Sequence, residues 1–402
     1  MRALPPGRPA SIPTRTNNRG DTMGPLKGVK IVEFGAIGPA TFATMLLSDM
    51  GADVIRVDRT SPSGLGIKKE PRHDTMRRGR PSIAVNLKSE EGCEVVRKLV
   101  AQADGLTEGF RPGVMERLGF GPDACLALNE RLVYGRMTGW GQDGPLAQHV
   151  GHDVNYLAIT GALSMIGRKG TPPAIPLNLV ADLGGGALYL AFGMACALFE
   201  AQRSGKGQVV DAAIIDGIAS MMTGFFAYRD AGRWNMEFES NFIDGGAPFY
   251  DVYETKDGKF ITVGAIEAKF YADLVKAMGL DIAQLPPQMD QSSWPALKVR
   301  FAEIFKTKTR EEWGKAMEGY EACFAPVLDM DEALKHPQYV ERKGFETWEG
   351  VPHPAAAPRL SRTPGKIQGA PRADGQDTDT ALTAWGFGKD ELAELHKSGA
   401  IA

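Results

Sequence analysis

Residues 30–58 read KIVEFGAIGPATFATMLLSDMGADVIRVD, and this stretch decides the fold. The short apolar runs KIVEF and DVIRVD are typical of buried strands, and TFATMLLSDMGA between them has the composition and length of a helix. The turn GAIGPA joins the first strand to that helix. A strand, a helix and a second strand in this order predict a βαβ unit with parallel strands.

The same alternation continues further along the chain. SIAVNL, DGLTEGF and RLVYGRMTG are strand candidates, and SEEGCEVVRKLVAQA is a helix candidate between the first two. Short apolar strands that alternate with helices are typical of a parallel sheet with helices on both faces. We therefore expect a Rossmann-like, doubly wound α/β domain over residues 24–212, completed by a segment at about residues 355–390.

The second half of the chain has a different pattern. Two strongly apolar helices are predicted over residues 183–200 and 210–227. APFYDVYET and KFITVGA, joined by the turn KDG, predict a β-hairpin, and amphipathic helices follow it. The expected organisation is linker helices over 213–249, a smaller α+β domain over 250–338, and a return linker and C-terminal segment with one short helix over 339–402.

The composition is that of an ordinary soluble protein, with 402 residues, 43% hydrophobic and 24% charged, and a formal net charge of −3. Because the chain has no overall positive field, we expect neither nucleic acid nor a membrane surface as a partner. The apolar run 183–199 is short for a membrane span and lies between Asp182 and Glu200, which favours a buried core helix. The cysteines form no CxxC pair, so neither a zinc site nor a disulfide framework is predicted.

Residues 1–23 differ from the rest of the chain. They are rich in arginine, contain a single acidic residue and include four prolines. The arginines are typical of a mitochondrial presequence, whereas the prolines oppose the amphipathic helix that such signals form. We expect a disordered extension and a cytoplasmic protein, with a mitochondrial location as the alternative if the extension is a presequence.

His152 and Asp153 interrupt the apolar stretch VGHDVNYLAITG at residues 150–161. They follow a glycine-rich loop after a predicted strand, and α/β sheets bind ligands beyond the carboxyl ends of their strands. An imidazole titrates near neutrality, so a histidine at this edge suits acid–base catalysis, although many histidines are only surface or core residues. Asp153 would either orient His152 or cap the helix that follows.

Asp182 and Glu267 are further acidic candidates. Asp182, in LNLVADLGGG, begins an apolar helix, where it is either an ordinary N-cap or part of a functional site. In the functional interpretation the three glycines let another group approach the backbone, and free amides stabilise an oxyanion. Glu267, in GAIEAKF, lies at the end of a hairpin strand, and the local sequence alone favours helix N-capping over a catalytic role.

Several cations follow predicted strands. Arg59, Lys88 and Arg111 lie just beyond strands, at the edge where ligands bind, and several cations that converge there suit a phosphate-bearing ligand. Each is also compatible with an ordinary surface charge. Asp58 lies where a ribose-binding acid would lie, but GAIGPA lacks the G-x-G-x-x-G pattern, so a packing turn is favoured over a nicotinamide site.

The segments GADVIRVDR, RRGRPSIAVNLK, FRPGVMERLG, GHDVNY, LNLVADLGGG and VGAIEAKFY resemble, in this order, the class III CoA-transferase (CaiB/BaiF) superfamily. The combination of GHD with GAIE resembles its α-methylacyl-CoA racemase branch. The resemblance spans about residue 24 to at least residue 360. It implies the interconversion of (R)- and (S)-2-methylacyl-CoA thioesters, and the alternative is CoA transfer through an acyl intermediate on Asp182.

The resemblance also implies a role for each acidic or basic candidate. His152 and Asp182 would flank the α-carbon, with the histidine handling the proton of the (S) epimer and the aspartate that of the (R) epimer. Glu267 would pair with this histidine from the partner subunit. The enolate oxygen needs preorganised donors, and the amide of Asp182 is expected to supply one. No metal or organic cofactor is expected, because CoA is part of the substrate.

The remaining expectations concern assembly and substrate binding. The resemblance implies an interlocked homodimer whose active site is shared between the two subunits. The residues implied to bind the acyl-CoA are Arg59, Val85, Asn86, Leu87, Lys88, Gly151, His152, Asp153, Val154, Asn155 and Tyr156, with Arg111 and Arg117 as further phosphate contacts.

Overall fold

The computed structural model describes residues 24–61, 64, 67 and 69–402, so the predicted extension over residues 1–23 lies outside the described residues. A six-stranded parallel sheet forms the centre of the larger unit. Its strands are β1 Lys30–Phe34, β2 Asp53–Arg59, β3 Ser82–Val85, β4 Gly105–Glu108, β5 Val133–Thr138 and β6 Gln208–Ala213. Their order is β3-β2-β1-β4-β5-β6, so the doubly wound prediction is confirmed.

Helices cover both faces of this sheet. They are α1 Pro39–Asp49, α2 Glu90–Ala101, α3 Val114–Arg117, α4 Pro122–Leu128, α5 Asp153–Ile159, α6 Leu188–Ser204, α7 Ile214–Met221 and α8 Thr223–Asp230. Successive residues of β1 point to opposite faces, so Ile31 packs in the core with α1, α6 and α7, and Val32 packs in the core with α2. The alternation of strands and helices in the sequence therefore produces two separate cores.

The predicted helix over residues 210–227 is wrong at its start. Residues 208–213 form β6, which pairs in parallel with β5 from Val133↔Gln208 to Thr138↔Ala213. Gly205, in the left-handed region at φ 78°, ends α6 and lets the chain turn back to the sheet. The run QVVDAAII is mostly apolar, and its two polar residues, Gln208 and Asp211, do not alternate as they would in a half-buried strand, so its pattern does not identify a strand.

The smaller unit is built on the predicted hairpin. Strands β7 Tyr250–Glu254, β8 Phe260–Gly264 and β9 Phe324–Pro326 form an antiparallel sheet in that order. Phe249, Tyr253, Phe305 and Trp313 belong to a third, aromatic core between this sheet and its helices. The helices that follow the hairpin are α9 Ala268–Ala277, α10 Trp294–Phe305, α11 Arg310–Ala316, α12 Met330–Lys335 and α13 Pro337–Glu341.

The chain then returns to the larger unit. After the hairpin of β10 Phe345–Trp348 and β11 Val351–Pro354 it forms two helices, α14 Thr378–Ala384 and α15 Lys389–Ser398, where the sequence predicted one. Leu382 and Trp385 are buried in the same core as α2. Ile401 bridges to Val85, and the chain end thereby covers the open edge of the sheet at β3.

A close helix crossing holds the segment that contains Asp182. Residues Leu179–Ala187 form a π-helical segment that continues into α6. A Cβ on Gly217 of α7 would lie 1.8 Å from the carbonyl oxygen of Gly185, and a Cβ on Gly185 would lie 2.7 Å from Cγ1 of Ile218. The glycines of LNLVADLGGG therefore do admit a close neighbour, but that neighbour is α7 of the same chain.

This crossing predicts that Gly217→Ala destabilises the fold. The added methyl group meets the backbone of Gly185, so the two helices must separate, and overpacking of this kind costs about 1–3 kcal/mol. Gly224→Ala in α8 is the matched control, because no atom lies within 4 Å of its Cβ position. It is expected to be neutral or stabilising by up to about 1 kcal/mol, since alanine favours a helix. Urea unfolding measures both, and equal midpoints for the two variants would contradict the prediction.

Candidate active site

Asp182 lies where the strand order of the sheet reverses. It occupies the first turn of the π-helical segment, and the side chain of Asn178 makes a hydrogen bond to its carboxylate. A Cβ on Gly38 would lie 3.9 Å from Oδ2 of Asp182. Gly38 belongs to the turn after β1, whose neighbours in the sheet are β2 and β4. Doubly wound sheets bind their ligands in the crevice at this position.

His152 is held at the start of α5 by backbone and aromatic contacts. It is the N-cap residue of the helix, and its N–H donates to Oδ1 of Asn155 at 3.0 Å. The ring of Tyr156 packs edge-on against Trp140 with centroids 4.7 Å apart, and its hydroxyl donates to the carbonyl of Gly151. The imidazole is exposed, so a ligand can reach it.

Asp153 connects the two catalytic candidates. Its Oδ2 accepts a hydrogen bond from the backbone N–H of Asp182 at 2.8 Å, across 29 residues of sequence. Asp153 is the first residue of α5 rather than its N-cap, and its carboxylate points to the helix of Asp182. Both roles predicted for Asp153, orienting His152 and capping its own helix, are therefore replaced by this contact. The expectation that the Asp182 amide donates to an enolate is also wrong, because that amide already donates to Asp153.

The surroundings of Asp182 raise the pKa of its carboxyl. Burial raises the pKa of its carboxyl to about 6, and the negative charge of Asp153 adds to this effect. The nearby His152 and the hydrogen bond from Asn178 oppose it. A carboxyl with such a pKa exchanges a proton readily near neutral pH, which is the property that a general acid–base group requires.

Tyr156 lies between the acidic centre and a cation. Burial and the charge of Asp182 raise the pKa of its phenol, and the charge of Arg111 lowers it. Arg111 follows β4, so the predicted edge of the sheet does bring His152, Asp182, Tyr156 and Arg111 into one region. The glycine at 151 is required there, since its Cβ would lie 2.8 Å from the rings of both Trp140 and Tyr156.

Exposed cations line the same edge of the sheet. Arg59 ends β2, and Lys88 and Arg111 each lie three residues beyond the last residue of β3 and β4. All three side chains are exposed, and among the described residues none of them pairs with a carboxylate. The predicted further contact, Arg117, is exposed in α3. Three such cations beyond the carboxyl ends of β3, β2 and β4 suit a polyanionic ligand.

Other arginines near this edge are buried and paired. Nη1 of Arg56 lies 2.6 Å from Glu33, and Nη2 of Arg77 lies 2.7 Å from Asp58. Asp58 also accepts a hydrogen bond from Ser82 at 2.7 Å. Its carboxylate is therefore committed to a structural cluster, which is consistent with the packing turn favoured over a ribose-binding site.

A backbone hydrogen bond joins the segment VNLK, residues 85–88, to the C-terminal residues of the chain. The N–H of Asn86 donates to the carbonyl of Ala400 at 2.8 Å, and its Oδ1 accepts from the N–H of Lys88 at 3.1 Å. Val85 is buried in the core, so it reaches a ligand only through its backbone. Leu87 is half-buried, as is Val154 on α5. The predicted contacts of these residues with an acyl-CoA stay predictions.

Glu267 is separate from the other candidates within one chain. It is the N-cap residue of α9 in the smaller unit, and its exposed side chain makes no capping hydrogen bond. Among the described residues no contact joins it to His152 or Asp182. A single chain therefore does not assemble the predicted set of three.

Sequence reasoning missed the supporting roles of three residues, of which only Asn155 was among the predicted substrate contacts. Asn178 holds the carboxylate of Asp182, Asn155 holds the backbone of His152, and Gly38 leaves room beside Asp182. The signal for the two asparagines was present, because Asn is common where helices begin and Asn155 lies three residues after a helix start. Nothing in the local sequence indicates that Gly38 faces residue 182.

The comparisons with known proteins identify the family of this chain. Residues 26–378 match the model of CoA-transferase family III. The chain belongs to this family. This family III chain is 44% identical over 374 residues to the mouse protein named alpha-methylacyl-CoA racemase, with 92% of this chain and 96% of the relative covered. The human protein of the same name is 41% identical, with 94% and 97% covered.

Solved structures support the fold. A CaiB/BaiF family protein from Brucella suis has a TM-score of 0.77 to this chain at 23% identity, with 90% of this chain and 100% of that chain covered. At this identity the likeness concerns the fold alone, and the fold agrees with the expected doubly wound architecture.

The raised pKa of Asp182 predicts a pH-dependent effect on stability. Between its ordinary value of 3.8 and the folded pKa of about 6, the folded state binds more protons than the unfolded state. The contribution of Asp182 to stability therefore falls as pH rises through this window and stays low above it. Asp182→Asn removes the buried charge and is expected to stabilise the fold at pH 8 by about 1 kcal/mol, less than the full linkage value because the carboxyl is partly solvated.

Urea unfolding at pH 5 and pH 8 measures this difference. The advantage of Asp182→Asn is expected to shrink at pH 5, where the wild-type carboxyl is mostly protonated. Asp123→Asn, which changes an exposed carboxyl on α4, is the control for a generic effect of removing a negative charge. An Asp182→Asn protein that is less stable than wild type at pH 8 would show that the buried charge does not cost stability.

Proposed function

We propose that this protein is an α-methylacyl-CoA racemase that interconverts (R)- and (S)-2-methylacyl-CoA thioesters by a 1,1-proton transfer. The observation that carries the proposal is an acid–base pair, His152 and Asp182, at the switch point of the sheet in a chain 44% identical to a racemase over nearly its full length. The mouse and human relatives with that name support an isomerase that acts on methylacyl-CoA.

The two groups act on opposite faces of the α-carbon. Neutral His152 removes the α-proton of the (S) epimer, and protonated Asp182 delivers a proton to the other face to give the (R) epimer. The reverse reaction uses the Asp182 carboxylate as base and the imidazolium as acid. Each direction leaves the pair in the protonation state that starts the other, and a carboxyl with a pKa of about 6 is suited to both roles.

The enolate oxygen requires hydrogen-bond donors in addition to the two bases. The first N–H groups of a helix have no acceptor within that helix, and the first turn of α5 begins directly after His152. With the Asp182 amide already donating to Asp153, the backbone N–H groups of Asp153 and Val154 are the donors that this proposal uses. The thioester oxygen would then lie beside the histidine.

The cations at the strand ends would bind the CoA moiety. Arg59, Lys88 and Arg111 are exposed, and within the described ranges they have no carboxylate partner. Diphosphate and 3′-phosphate groups need such cations, because unpaired guanidinium and ammonium groups form charge-assisted hydrogen bonds with phosphate oxygens. The VNLK segment beside Lys88 would contact the adenine through its backbone.

We further propose that the protein is a homodimer with a shared active site. The helix Leu179–Ser204 is long and apolar enough, by length and composition alone, to cross a membrane, and only 33% of its most apolar window is buried in one chain. Leu190 and Met194 are buried on its inner face, whereas Phe192 and Phe199 are 68% and 63% exposed on its outer face. A second copy that covers this face would bring the partner subunit's Glu267 to His152, a contact that one chain does not make.

The alternative function is CoA transfer between two carboxylic acids, which the name of the family favours. The Asp182 carboxylate would attack the thioester and form an acyl-aspartyl intermediate. This mechanism has no use for His152 or Glu267. Hydroxylamine added with acyl-CoA separates the two functions, because aspartyl hydroxamate at residue 182 forms only if the carboxylate is acylated.

The racemase proposal predicts deuterium incorporation at C2. Wild-type protein incubated with (S)-2-methylacyl-CoA in D₂O is expected to give both epimers, with deuterium at C2 followed by ¹H NMR. His152→Gln and Asp182→Asn are each expected to lower epimerisation by about 10²–10⁴-fold, the usual contribution of a general acid–base group. A C2 position that keeps its protium after prolonged incubation with wild-type protein would eliminate the racemase.

The shared site predicts that two inactive variants complement each other. His152→Gln and Glu267→Gln subunits, co-expressed with different tags and purified through both, form a mixed dimer with one intact site and one doubly altered site. We expect about half of the wild-type activity per dimer, since one of two symmetric sites is intact. The control is a mixed dimer of His152→Gln and Asp182→Asn, in which each site keeps one defect and no recovery is expected. Equal activity of the two mixed dimers would rule out the sharing.

A further inference from the structure

We infer that Asp153 is a positioning residue for the proposed racemase: its carboxylate fixes the backbone of Asp182 and places a negative charge beside the carboxyl of Asp182. This inference rests on the proposed function for its catalytic meaning. It assigns Asp153 a role that is different from contact with the substrate.

The geometry joins the two segments rigidly. Asp153 lies in the first turn of α5, next to His152, and Asp182 lies in the first turn of the π-helical segment. Oδ2 of Asp153 accepts the Asp182 N–H at 2.8 Å, and Asp153 is only 8% exposed. The separation of the two catalytic candidates therefore depends on a short buried contact rather than on a flexible loop.

The second oxygen of Asp153 indicates why this residue is charged. Oδ1 is buried and has no hydrogen-bond partner among the described residues, and no cation there pairs with this carboxylate. A buried, half-satisfied carboxylate is costly, and the bond to Asp182 alone needs only a neutral acceptor such as an asparagine oxygen. The charge therefore has a use beyond the hydrogen bond.

That use is to raise the fraction of Asp182 that holds a proton near neutral pH. After burial, the negative charge of Asp153 is the largest influence that raises the pKa of Asp182 to about 6. With a neutral residue at position 153, Asp182 would be a stronger acid and a smaller fraction of it would hold a proton at pH 7. The titration of Asp182 would shift, and with it the acidic limb of the pH–rate profile.

The test compares variants that separate the charge from the hydrogen bond. Asp153→Asn and Asp153→Ser each keep a hydrogen-bond acceptor at position 153 and lose the negative charge. Two variants are used so that the test still works if one of them does not fold. Asp104→Asn is the matched control, because Asp104 accepts the N–H of Lys30 through Oδ2 at the same 2.8 Å distance, where β1 begins. Circular dichroism and gel filtration identify the folded variants.

The readout is the titration of Asp182 itself. The carboxyl carbons of aspartate are labelled with ¹³C, and the Asp182 resonance is the one that disappears in Asp182→Asn. In Asp153→Asn the midpoint is expected to move to lower pH by about half a unit or more, the direction in which removal of a like charge acts. Asp104→Asn is expected to leave it unchanged. An Asp182 midpoint in both neutral variants that coincides with the wild type would overturn the inference.

The kinetic arm links this titration to the reaction. The acidic limb of the pH profile for deuterium incorporation at C2 is expected to move with the NMR midpoint in Asp153→Asn, without a large change in KM. A merely structural role would lower the rate at every pH and leave the shape of the profile unchanged. The NMR titration needs no substrate, so the two proposals can fail separately. Absence of deuterium exchange at C2 in wild-type protein rejects the proposed function. Exchange in wild type, together with an Asp182 midpoint that does not move in the Asp153 variants, rejects only the role of Asp153.

Discussion

Asp153 and Asp182 are 29 residues apart, and a single hydrogen bond of 2.8 Å joins the segments in which they lie. This contact fixes the position of the candidate site. His152 directly precedes the acceptor residue Asp153, and the donor amide belongs to Asp182 itself. Both segments begin helices, so each has N–H groups without partners in its own helix. The Asp153 carboxylate accepts a hydrogen bond from one of these groups, the N–H of Asp182. The N–H groups in the first turn of α5 are the ones proposed to bind the ligand.

The contact is held in place by the larger unit. The π-helical segment lies against α7 at a distance that only glycine permits, since Gly185 and Gly217 meet through backbone atoms. The position of α7 follows from β6, which aligns with β5 over six residue pairs and leads directly into it. Because β6 leads into α7, and α7 packs against the π-helical segment, the strand order of the sheet determines where Asp182 lies.

The parts of the fold that depend on local patterns could be predicted from the sequence. The run from Lys30 to Asp58 has unmistakable strand and helix periods, and His152 and Asp182 are conspicuous as polar residues in apolar segments. The strand β6 could not be recognised, because QVVDAAII is mostly apolar and its polar residues, Gln208 and Asp211, do not follow the alternation of a strand. The acceptor of the Asp182 amide could not be recognised either, because the hydrogen bond crosses 29 residues and leaves no local signal.

The chemical environment of Asp182 bears on the choice between the two reactions of the family. An acyl-aspartyl intermediate requires the carboxylate to leave again, and a carboxyl with a pKa of about 6 is a poorer leaving group than an ordinary one. Proton transfer is affected in the opposite way, because a higher pKa makes Asp182 a stronger base and keeps part of it protonated at neutral pH. The buried aspartate that holds the site together thus also favours proton transfer over acyl transfer.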